Sequence, residues 1–460
     1  MFDRQAIEEY IKQNRANFEQ QLVDLLSIPS VSADPQQAIE VTRAGQWVAD
    51  RLTSLGLATE LASTAGHPII FAQSPEIPGR PTVLVYGHYD VQPPDPLDEW
   101  LTPPFEPTIR DGNVVARGAT DDKGQMLTHI NSLEAWVRTH DKLPIQLKYL
   151  IEGEEEVGSE NIEPFLVRHR DALACDVVVV SDTSQFAPGQ PAITYGLRGI
   201  AYYQLNLEGP GQDLHSGTFG GGVTNPANAL AQIISAMHDE LGRVQIPHFY
   251  DDVVPLSDRE REQFAALAFD EVAFMNQIGV DGVTGEEGYS TLARRWARPT
   301  LDIHGLTSGY QGEGPKTIIP GRAQAKFSCR LVPNQDPAKI TEDLRALLAR
   351  LCPPGIQWEL VEMQGSAGIV VPLDSHYMEA ASAAIEQGFG KRPVFIREGG
   401  SIPIVNSFRD QLGADTLLLG WGQNDDNTHG PNEKFSLEDY YQGTLSSAFL
   451  WHELGQLDLS

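Results

Sequence analysis

Cysteine is scarce in this sequence, and long apolar runs are missing. The 460 residues include three cysteines, Cys175, Cys329 and Cys352. They lie far apart and form no CxxC pair, which argues against a disulfide framework or a zinc knuckle. No apolar stretch in the sequence reaches the roughly 18 residues that a membrane-spanning helix needs. The first residues also lack the basic and then apolar pattern of a signal peptide. We therefore expect a cytoplasmic protein without a membrane partner.

Basic residues are few in comparison with acidic ones. Lys and Arg together number 33, whereas Asp and Glu number 63, and the formal net charge is -30. A charge of this sign repels phosphate backbones, so nucleic acid is excluded as an expected partner. The hydrophobic content of 41% is typical of a globular protein, and the length allows two or three domains.

Strand-like and helix-like patterns alternate in the first part of the chain. Apolar residues recur at helical spacing over 7–26 and again over 125–138. Residues 82–86 form a continuous apolar run, as expected of a strand buried on both faces, and 145–151 and 177–180 are predicted as further strands. This alternation predicts an α/β sheet with helices packed on both faces.

The middle of the chain follows a different pattern. An alternating strand over 201–207 precedes a helix that starts after Asn225, whose side chain can cap it ahead of Pro226. A strand over 324–332 and a helix over 337–351 follow. The last part returns to the first style, with a helix over 377–387, a strand over 416–419 and a terminal helix from Leu437. We predict an α/β domain over 1–199 and 372–460, interrupted by an inserted α+β domain over 200–371.

Histidine and carboxylate side chains follow the predicted strands, and one further carboxylate, Asp121, precedes the predicted helix over 125–138. The candidate ligands are His88 and Asp90, then Asp121, then Glu155 and Glu156, then Asp182 and finally His429. In open α/β sheets, ligands bind beyond the carboxyl ends of the strands, so these groups are expected to meet. Two imidazoles and several carboxylates suit Zn²⁺, Mn²⁺ or Co²⁺, and there are more carboxylates than one tetrahedral ion requires. The sequence therefore predicts two divalent ions, an arrangement that hydrolyses amide or ester bonds.

Spacing suggests further roles within this set. His88 and Asp90 are two residues apart, so on an extended chain Asp90 can orient the imidazole ring. The adjacent Glu155 and Glu156 can divide metal binding and proton transfer between them. Taken singly, each of these residues is more often a turn, capping or surface residue, and only their coincidence indicates a site. A catalytically silent metal-binding protein is the alternative from a different class.

The sequence resembles the M20 family of metallopeptidases, and within it the branch of carnosine and cysteinylglycine dipeptidases. The matching blocks run in family order over nearly the whole chain. They are 87–93 (GHYDVQP), 117–124 (RGATDDKG), 152–159 (EGEEEVGS), 181–182 (SD), 195–199 (YGLRG), 213–217 (DLHSG), 327–333 (FSCRLVP), 397–403 (REGGSIP), and His429 with 432–434 (NEK). The resemblance implies a zinc-peptidase-like α/β catalytic domain, an inserted lid and dimerisation domain, and hydrolysis of dipeptides. The alternative on the same fold is an N-acyl-amino-acid or carbamoyl amidohydrolase, or a carboxypeptidase.

The resemblance also implies a role for each matching residue. Asp121, rather than Asp122, would bridge two divalent ions, with Zn²⁺ expected first and Mn²⁺ or Co²⁺ as alternatives. His88 and Asp182 would complete the shell of one ion, and Glu156 and His429 that of the other. Glu155 would be the general acid and base, and Asp90 would be the partner of His88.

The substrate residues are likewise implied by the resemblance. The expected substrate is a small peptide, and the expected assembly is a homodimer. His215 would reach into the site of the partner subunit and stabilise the oxyanion of the tetrahedral intermediate. Arg330 would bind the C-terminal carboxylate of the substrate through both arms of its guanidinium. Thr317 and Ser401 would line the same pocket.

Overall fold

The computed structural model describes residues 2–458. The strands are β1 (Ala58–Ala62), β2 (Ile69–Gln73), β3 (Thr82–His88), β4 (Thr108–Arg110), β5 (Asn113–Val115), β6 (Gln146–Glu152), β7 (Val177–Val180), β8 (Ala192–Leu197), β9 (Gly199–Glu208), β10 (Leu214–His215), β11 (Thr300–Ser308), β12 (Ile318–Ile319), β13 (Arg322–Leu331), β14 (Gln357–Ser366), β15 (Ile369–Val370), β16 (Val394–Glu398), β17 (Asp415–Gly420) and β18 (Lys434–Ser436).

Helices account for much of the remaining chain. The α-helices are α1 (Arg4–Gln13), α2 (Arg15–Leu26), α3 (Ala38–Ser54), α4 (Lys123–Thr139), α5 (Ile162–Arg168), α6 (Arg170–Leu173), α7 (Ser216–Phe219), α8 (Pro226–Ser235), α9 (Asp258–Ala266), α10 (Glu271–Ile278), α11 (Thr291–Trp296), α12 (Pro337–Leu351), α13 (His376–Phe389), α14 (Ile404–Ser407) and α15 (Leu437–Gly455). Short 3₁₀ helices cover Pro35–Gln37, Leu97–Glu99 and Glu155–Val157, and a π-helical turn covers Phe408–Leu412.

The described residues fall into two compact units. The first unit lies within Met1–Tyr195, Val371–Ile396 and Ile404–Ser460, and the second comprises Gly196–Val370 and Arg397–Pro403. Among residues 2–458, no helix combines the length and the apolar composition that a membrane crossing requires. Each unit has a hydrophobic core of its own, as expected of a domain.

The sheet of the first unit is parallel at its centre. Its strands run in the order β1-β2-β6-β3-β7-β17-β8. β3 pairs in parallel with both β6 and β7, and β7 pairs in parallel with β17, whereas the outer pairs are antiparallel. Every residue of β6 and β7 is buried, and β3 is buried in all but its first residue, which confirms the expectation that the strand over 82–86 is covered on both faces.

The elements that the sequence predicted in the first unit agree with the structure within two residues at each end. The exception is the helical pattern over 7–26, which the structure divides into α1 and α2 at Asn14. The side-chain amide of Asn14 donates to the carbonyl oxygen of Tyr10 and thereby takes up an acceptor at the end of α1. The spacing of apolar residues does not reveal such a break, because the apolar positions continue at helical spacing through both helices.

The second unit contains an antiparallel sheet in the order β11-β13-β9-β14. Helices α8 and α12 contribute apolar side chains to the core against which this sheet packs. The side chain of Asn225 accepts a hydrogen bond from the amide of Ala227, and Pro226 is the first residue of α8, so the predicted capping is confirmed. The predicted helix 337–351 coincides with α12.

Candidate metal centre

Parallel strands deliver the candidate ligands to one edge of the sheet. His88 is the last residue of β3, Glu155 and Glu156 follow β6 in a 3₁₀ turn, and Asp182 follows β7. Asp121 precedes α4, whose first residue is Lys123. Because β6, β3 and β7 are parallel neighbours, their carboxyl ends lie side by side.

Asp121 contacts both histidines, one with each carboxylate oxygen. Its Oδ1 lies 3.0 Å from Nε2 of His88, and its Oδ2 lies 3.0 Å from Nε2 of His429. The same nitrogen of His429 lies 3.3 Å from Oε2 of Glu156. Asp122 points elsewhere, since its Oδ2 accepts a hydrogen bond from the backbone amide of His88. Of the two adjacent acidic residues, Asp121 is therefore the one whose carboxylate lies between the two histidines.

Two donor sets share Asp121. One combines His88, Asp121 and Asp182, and the other combines Asp121, Glu156 and His429, with the donor atoms of each set within 4.8 Å of one another. Each set offers one imidazole nitrogen and two carboxylates, which suits a divalent cation of borderline hardness. Nε2 of His88 is buried and makes no hydrogen bond of good geometry. The residues present therefore fit a pair of metal ions.

Asp90 holds both His88 and the acidic turn. Nδ1 of His88 lies 3.1 Å from the carbonyl oxygen of Asp90 and 3.4 Å from its carboxylate. The carboxylate of Asp90 also accepts the backbone amides of Glu155, at 3.3 Å, and of Glu156, at 3.1 Å. Sequence spacing suggested only the contact with the imidazole. The second contact makes Asp90 a common support for one donor of each set.

The carboxylates of the site raise the pKa of one another. Burial, with the charges of Glu156 and Asp121, raises the pKa of Glu155 to about 8 against the opposing effect of His88. Burial and the charge of Asp121 raise the pKa of Asp182 well above its usual value. Contacts with Asp121 and Glu156 raise the pKa of His429 to about 10. Clustered carboxylates of this kind are stabilised in their charged form by bound cations.

Without bound metal, the protein is expected to lose stability as the pH rises from about 5 to 8. Burial raises the pKa of Glu155 to about 8 and that of Glu152 to about 7. In this pH range the folded state therefore binds more protons than the unfolded state, so the free energy of unfolding falls with pH. His429, with a pKa raised to about 10, acts in the same direction above about pH 6.5. Asp121 has a lowered pKa and contributes unchanged over this range.

Thermal unfolding of chelator-treated protein between pH 5 and 8 measures this effect. Zn²⁺ or Mn²⁺ should raise the unfolding midpoint most at the upper pH, because the ions bind the deprotonated carboxylates. A midpoint of the metal-free protein that rises steadily between pH 5 and 8 would contradict the expectation.

The predicted substrate residues lie in the second unit, in two pairs. β10, which ends at His215, pairs with β12, and the amide of Ser216 donates to the carbonyl oxygen of Thr317 at 3.1 Å. Nη1 of Arg330 donates to Oγ of Ser401 at 3.1 Å. The second unit thus places His215 near Thr317 and Arg330 beside Ser401.

Other histidine, tryptophan and acidic residues of the chain make structural contacts. His248 pairs with Asp251 at the surface, and His304 contacts Oγ of Ser328 and stacks on Tyr202. Trp421 is fully buried and stacks on Phe389, so it packs in the core. The two acidic residues before His429 differ from one another: Asp425 pairs with Lys434, whereas the buried Asp426 accepts from the hydroxyl of Thr120 beside Asp121.

Sequence reasoning missed a buried ion pair beneath the site. Nη1 of Arg117 lies 2.9 Å from Oε2 of Glu433, and both side chains are almost entirely buried. Both residues occur in the motif blocks of the sequence, but neither follows one of the strands predicted from sequence, and they are distant in the chain. The motif carries no signal for the pair, because buried Arg and Glu side chains are usually paired but the sequence does not show that these two are buried.

Known proteins match this chain over most of its length. Residues 84–451 match peptidase family M20/M25/M40. The Cys-Gly metallodipeptidase dug1 of Schizosaccharomyces pombe is 33% identical over 98% of each chain. The structure of human carnosine dipeptidase 1 is 33% identical with a TM-score of 0.86 over 99% of each chain. The M20 metallo-carboxypeptidase Sso-CP2 of Sulfolobus solfataricus is 32% identical, with a TM-score of 0.88 over 96% of this chain and 99% of that one.

Proposed function

Because this chain belongs to peptidase family M20/M25/M40, we propose that it hydrolyses dipeptides with the help of two bound divalent metal ions. The observation that carries the proposal is the pair of donor sets that share Asp121, with Glu155 next to them in the chain. His88 and Asp182 would hold one ion, and Glu156 and His429 the other. Relatives named as Cys-Gly and β-Ala-His dipeptidases favour dipeptides as the substrate class.

Glu155 is proposed as the general acid and base. The bound ions would supply Lewis-acid polarisation of the scissile carbonyl and lower the pKa of a water molecule. Glu155 would take a proton from the attacking water and return it to the leaving amine. Asp90 would keep Glu155 in place through the hydrogen bond from the amide of Glu155 to its carboxylate. This assigns proton transfer and metal binding to adjacent residues, Glu155 and Glu156.

Arg330 and Ser401 are proposed to bind the C-terminal carboxylate of the substrate. Oγ of Ser401 accepts from Arg330 and donates to the carbonyl oxygen of Arg198 at 2.5 Å. These contacts hold the guanidinium of Arg330 in one orientation, as bidentate binding of a carboxylate requires. Thr317 is proposed to contribute to the same pocket.

Changing Arg330 to Lys is expected to raise KM for a dipeptide about 10–100-fold, because a charge-assisted bidentate contact becomes a single one. kcat should change little, because Arg330 takes no part in proton transfer. Steady-state kinetics on a dipeptide and on its C-terminal amide will test this. The wild type should prefer the free carboxylate strongly, and the variant should lose most of that preference.

Arg322→Lys is the matched control for this change. Arg322 lies on the same strand, β13, with a side chain that is 83% exposed, so its replacement should leave both constants unchanged. An Arg330→Lys enzyme with wild-type discrimination between the acid and the amide would exclude the proposed role.

The second unit is proposed as the lid and dimerisation domain, with His215 acting in the site of the partner subunit. Nδ1 of His215 accepts a hydrogen bond from the amide of Gly217 at 3.0 Å. The neutral ring therefore carries its proton on Nε2, which makes that nitrogen a donor suited to an oxyanion. Light scattering tests for the dimer. Mixing inactive Glu155→Gln and His215→Asn chains should restore about a quarter of the activity if His215 acts across the interface.

A dipeptide panel assayed under defined metals is the experiment that decides the function. Zn²⁺ is proposed as the resident ion, with Mn²⁺ and Co²⁺ as the comparison metals. Dipeptides should be cleaved, while N-acyl-amino acids and N-carbamoyl amino acids should be poor substrates. Efficient removal of C-terminal residues from longer peptides would instead assign a carboxypeptidase, the activity for which Sso-CP2 is named. The three cysteines are free, which fits the proposed cytoplasmic location.

A further inference from the structure

Glu433 is a fully buried carboxylate that collects donors from the loop before α4. Its Oε2 accepts from Nη1 of Arg117 at 2.9 Å and from the amide of Gly118 at 2.8 Å. Its Oε1 accepts from the amides of Thr120 at 2.9 Å and Asp121 at 3.1 Å. Both oxygens therefore hold the segment that ends in the shared candidate ligand.

Arg117 extends this network to the other side of the candidate site. Its Nη2 donates to the carbonyl oxygen of His429 at 3.2 Å and to that of Pro93 at 3.3 Å. His429 has a backbone φ of 63°. A non-glycine residue in this left-handed region is disfavoured and persists only where surrounding contacts hold it. The hydrogen bond from Arg117 is one such contact.

We propose that Glu433 and Arg117 form a positioning pair, which sets Asp121 and His429 at the separation at which they bind one ion together. The inference rests on the proposed metal-dependent function and extends it to residues that touch neither substrate nor metal. Glu433 fixes Asp121 through its backbone amide, and Arg117 fixes His429 through its backbone carbonyl. Since the two residues also bind each other, the two loops are held in one register.

A carboxylate suits this place better than an amide of the same shape. Four donors converge on Glu433, and a carboxylate accepts at both of its oxygens. In Glu433→Gln, the side-chain NH₂ group would face either the Arg117 and Gly118 donors or the Thr120 and Asp121 donors. Either orientation sets donor against donor, so the segment that carries Asp121 must move.

Metal-binding titration of the full-length protein tests the pair without relying on activity. Chelator-treated protein is titrated with Zn²⁺ and with Mn²⁺ against a competing chelator, and the bound metal is counted by mass spectrometry. Glu433→Gln is expected to weaken binding of the ions by about 10–100-fold, as loss of a partner behind a metal ligand typically does. Glu438→Gln is the matched control, because that side chain is 62% exposed, and it should bind metal like the wild type.

Arg117→Lys separates positioning from folding. A lysine keeps the positive charge beside Glu433 but can no longer reach both Glu433 and His429. The affinity for the ion held by His429 should therefore fall about tenfold or more, while the affinity for the other ion changes less. Circular dichroism of the metal-free variants shows whether they are folded, and the binding constants are read on the folded protein.

The outcomes distinguish this inference from the proposed function. A wild type that binds no divalent metal would overturn the function itself. The positioning pair alone would be overturned if the wild type binds two ions and the folded Glu433→Gln and Arg117→Lys proteins bind them with wild-type affinity. If Glu433→Gln fails to fold, Arg117→Lys alone decides. Weaker metal binding at one site than at the other supports the pair, and wild-type affinity at both sites excludes it.

Discussion

Changing Glu155 to Gln is expected to lower kcat by about 10²–10⁴-fold while both metal ions remain bound. Glutamine has the same size but cannot accept the proton of the attacking water. The donor sets do not include Glu155, so metal binding should persist. The backbone amide of residue 155 can still donate to Asp90, so the turn should keep its shape. Kinetics and metal content measured on one preparation give both readouts.

Glu160→Gln provides the control for the loss of one carboxylate in this segment. Glu160 is exposed and lies five residues further along the chain, so its replacement should leave kcat unchanged. Full turnover by a Glu155→Gln enzyme that carries two ions would show that another group transfers the proton. Loss of the ions together with the activity would instead place Glu155 among the metal ligands.

Changing Asp121 to Asn should abolish activity by removing the charge that both donor sets share. Each oxygen of Asp121 lies 3.0 Å from a different histidine, so one substitution affects both sets. We expect the affinity for each ion to fall by more than about 100-fold, beyond the effect of losing a residue behind a ligand. The measurement is metal stoichiometry after dialysis against a defined free metal concentration.

Single-set variants show whether Asp121 is the shared ligand. Asp182→Asn removes a donor from one set and Glu156→Gln from the other, so each should weaken one ion more than the second. Asp425→Asn, at a side chain that is 55% exposed and paired with Lys434, should retain both ions. An Asp121→Asn protein that keeps one ion at full affinity would show that the two sets are independent.

The convergence of the candidate site could be anticipated from sequence because it follows from strand direction. Once 82–86, 145–151 and 177–180 are taken as parallel neighbours, the residues after them must meet at one edge. The choice between Asp121 and Asp122 did not follow from spacing and required the family resemblance. In the structure the two adjacent carboxylates differ in direction: Asp121 contacts the imidazole rings of both histidines, whereas Asp122 accepts from the backbone amide of His88.

Other features depend on contacts that local patterns do not encode. The ion pair of Arg117 and Glu433 joins residues more than three hundred positions apart, so neither residue alone indicates a role. The break at Asn14 depends on one side-chain hydrogen bond within a continuous apolar stripe. The short helices α9, α10 and α11 are set by their N-terminal caps, such as the reciprocal contacts of Ser257 and Glu260, rather than by a long periodic pattern.

The candidate metal ligands all belong to the first unit, whereas His215, Thr317, Arg330 and Ser401 all belong to the second. With the proposed roles, metal binding and substrate binding are thus encoded by different stretches of the chain. Substitutions in the second unit can change which peptides are accepted without altering a metal-ligand residue. Relatives of this chain could therefore diversify in the peptides they cleave while inheriting the same chemistry, and swapping second units between them would transfer substrate preference without changing metal preference.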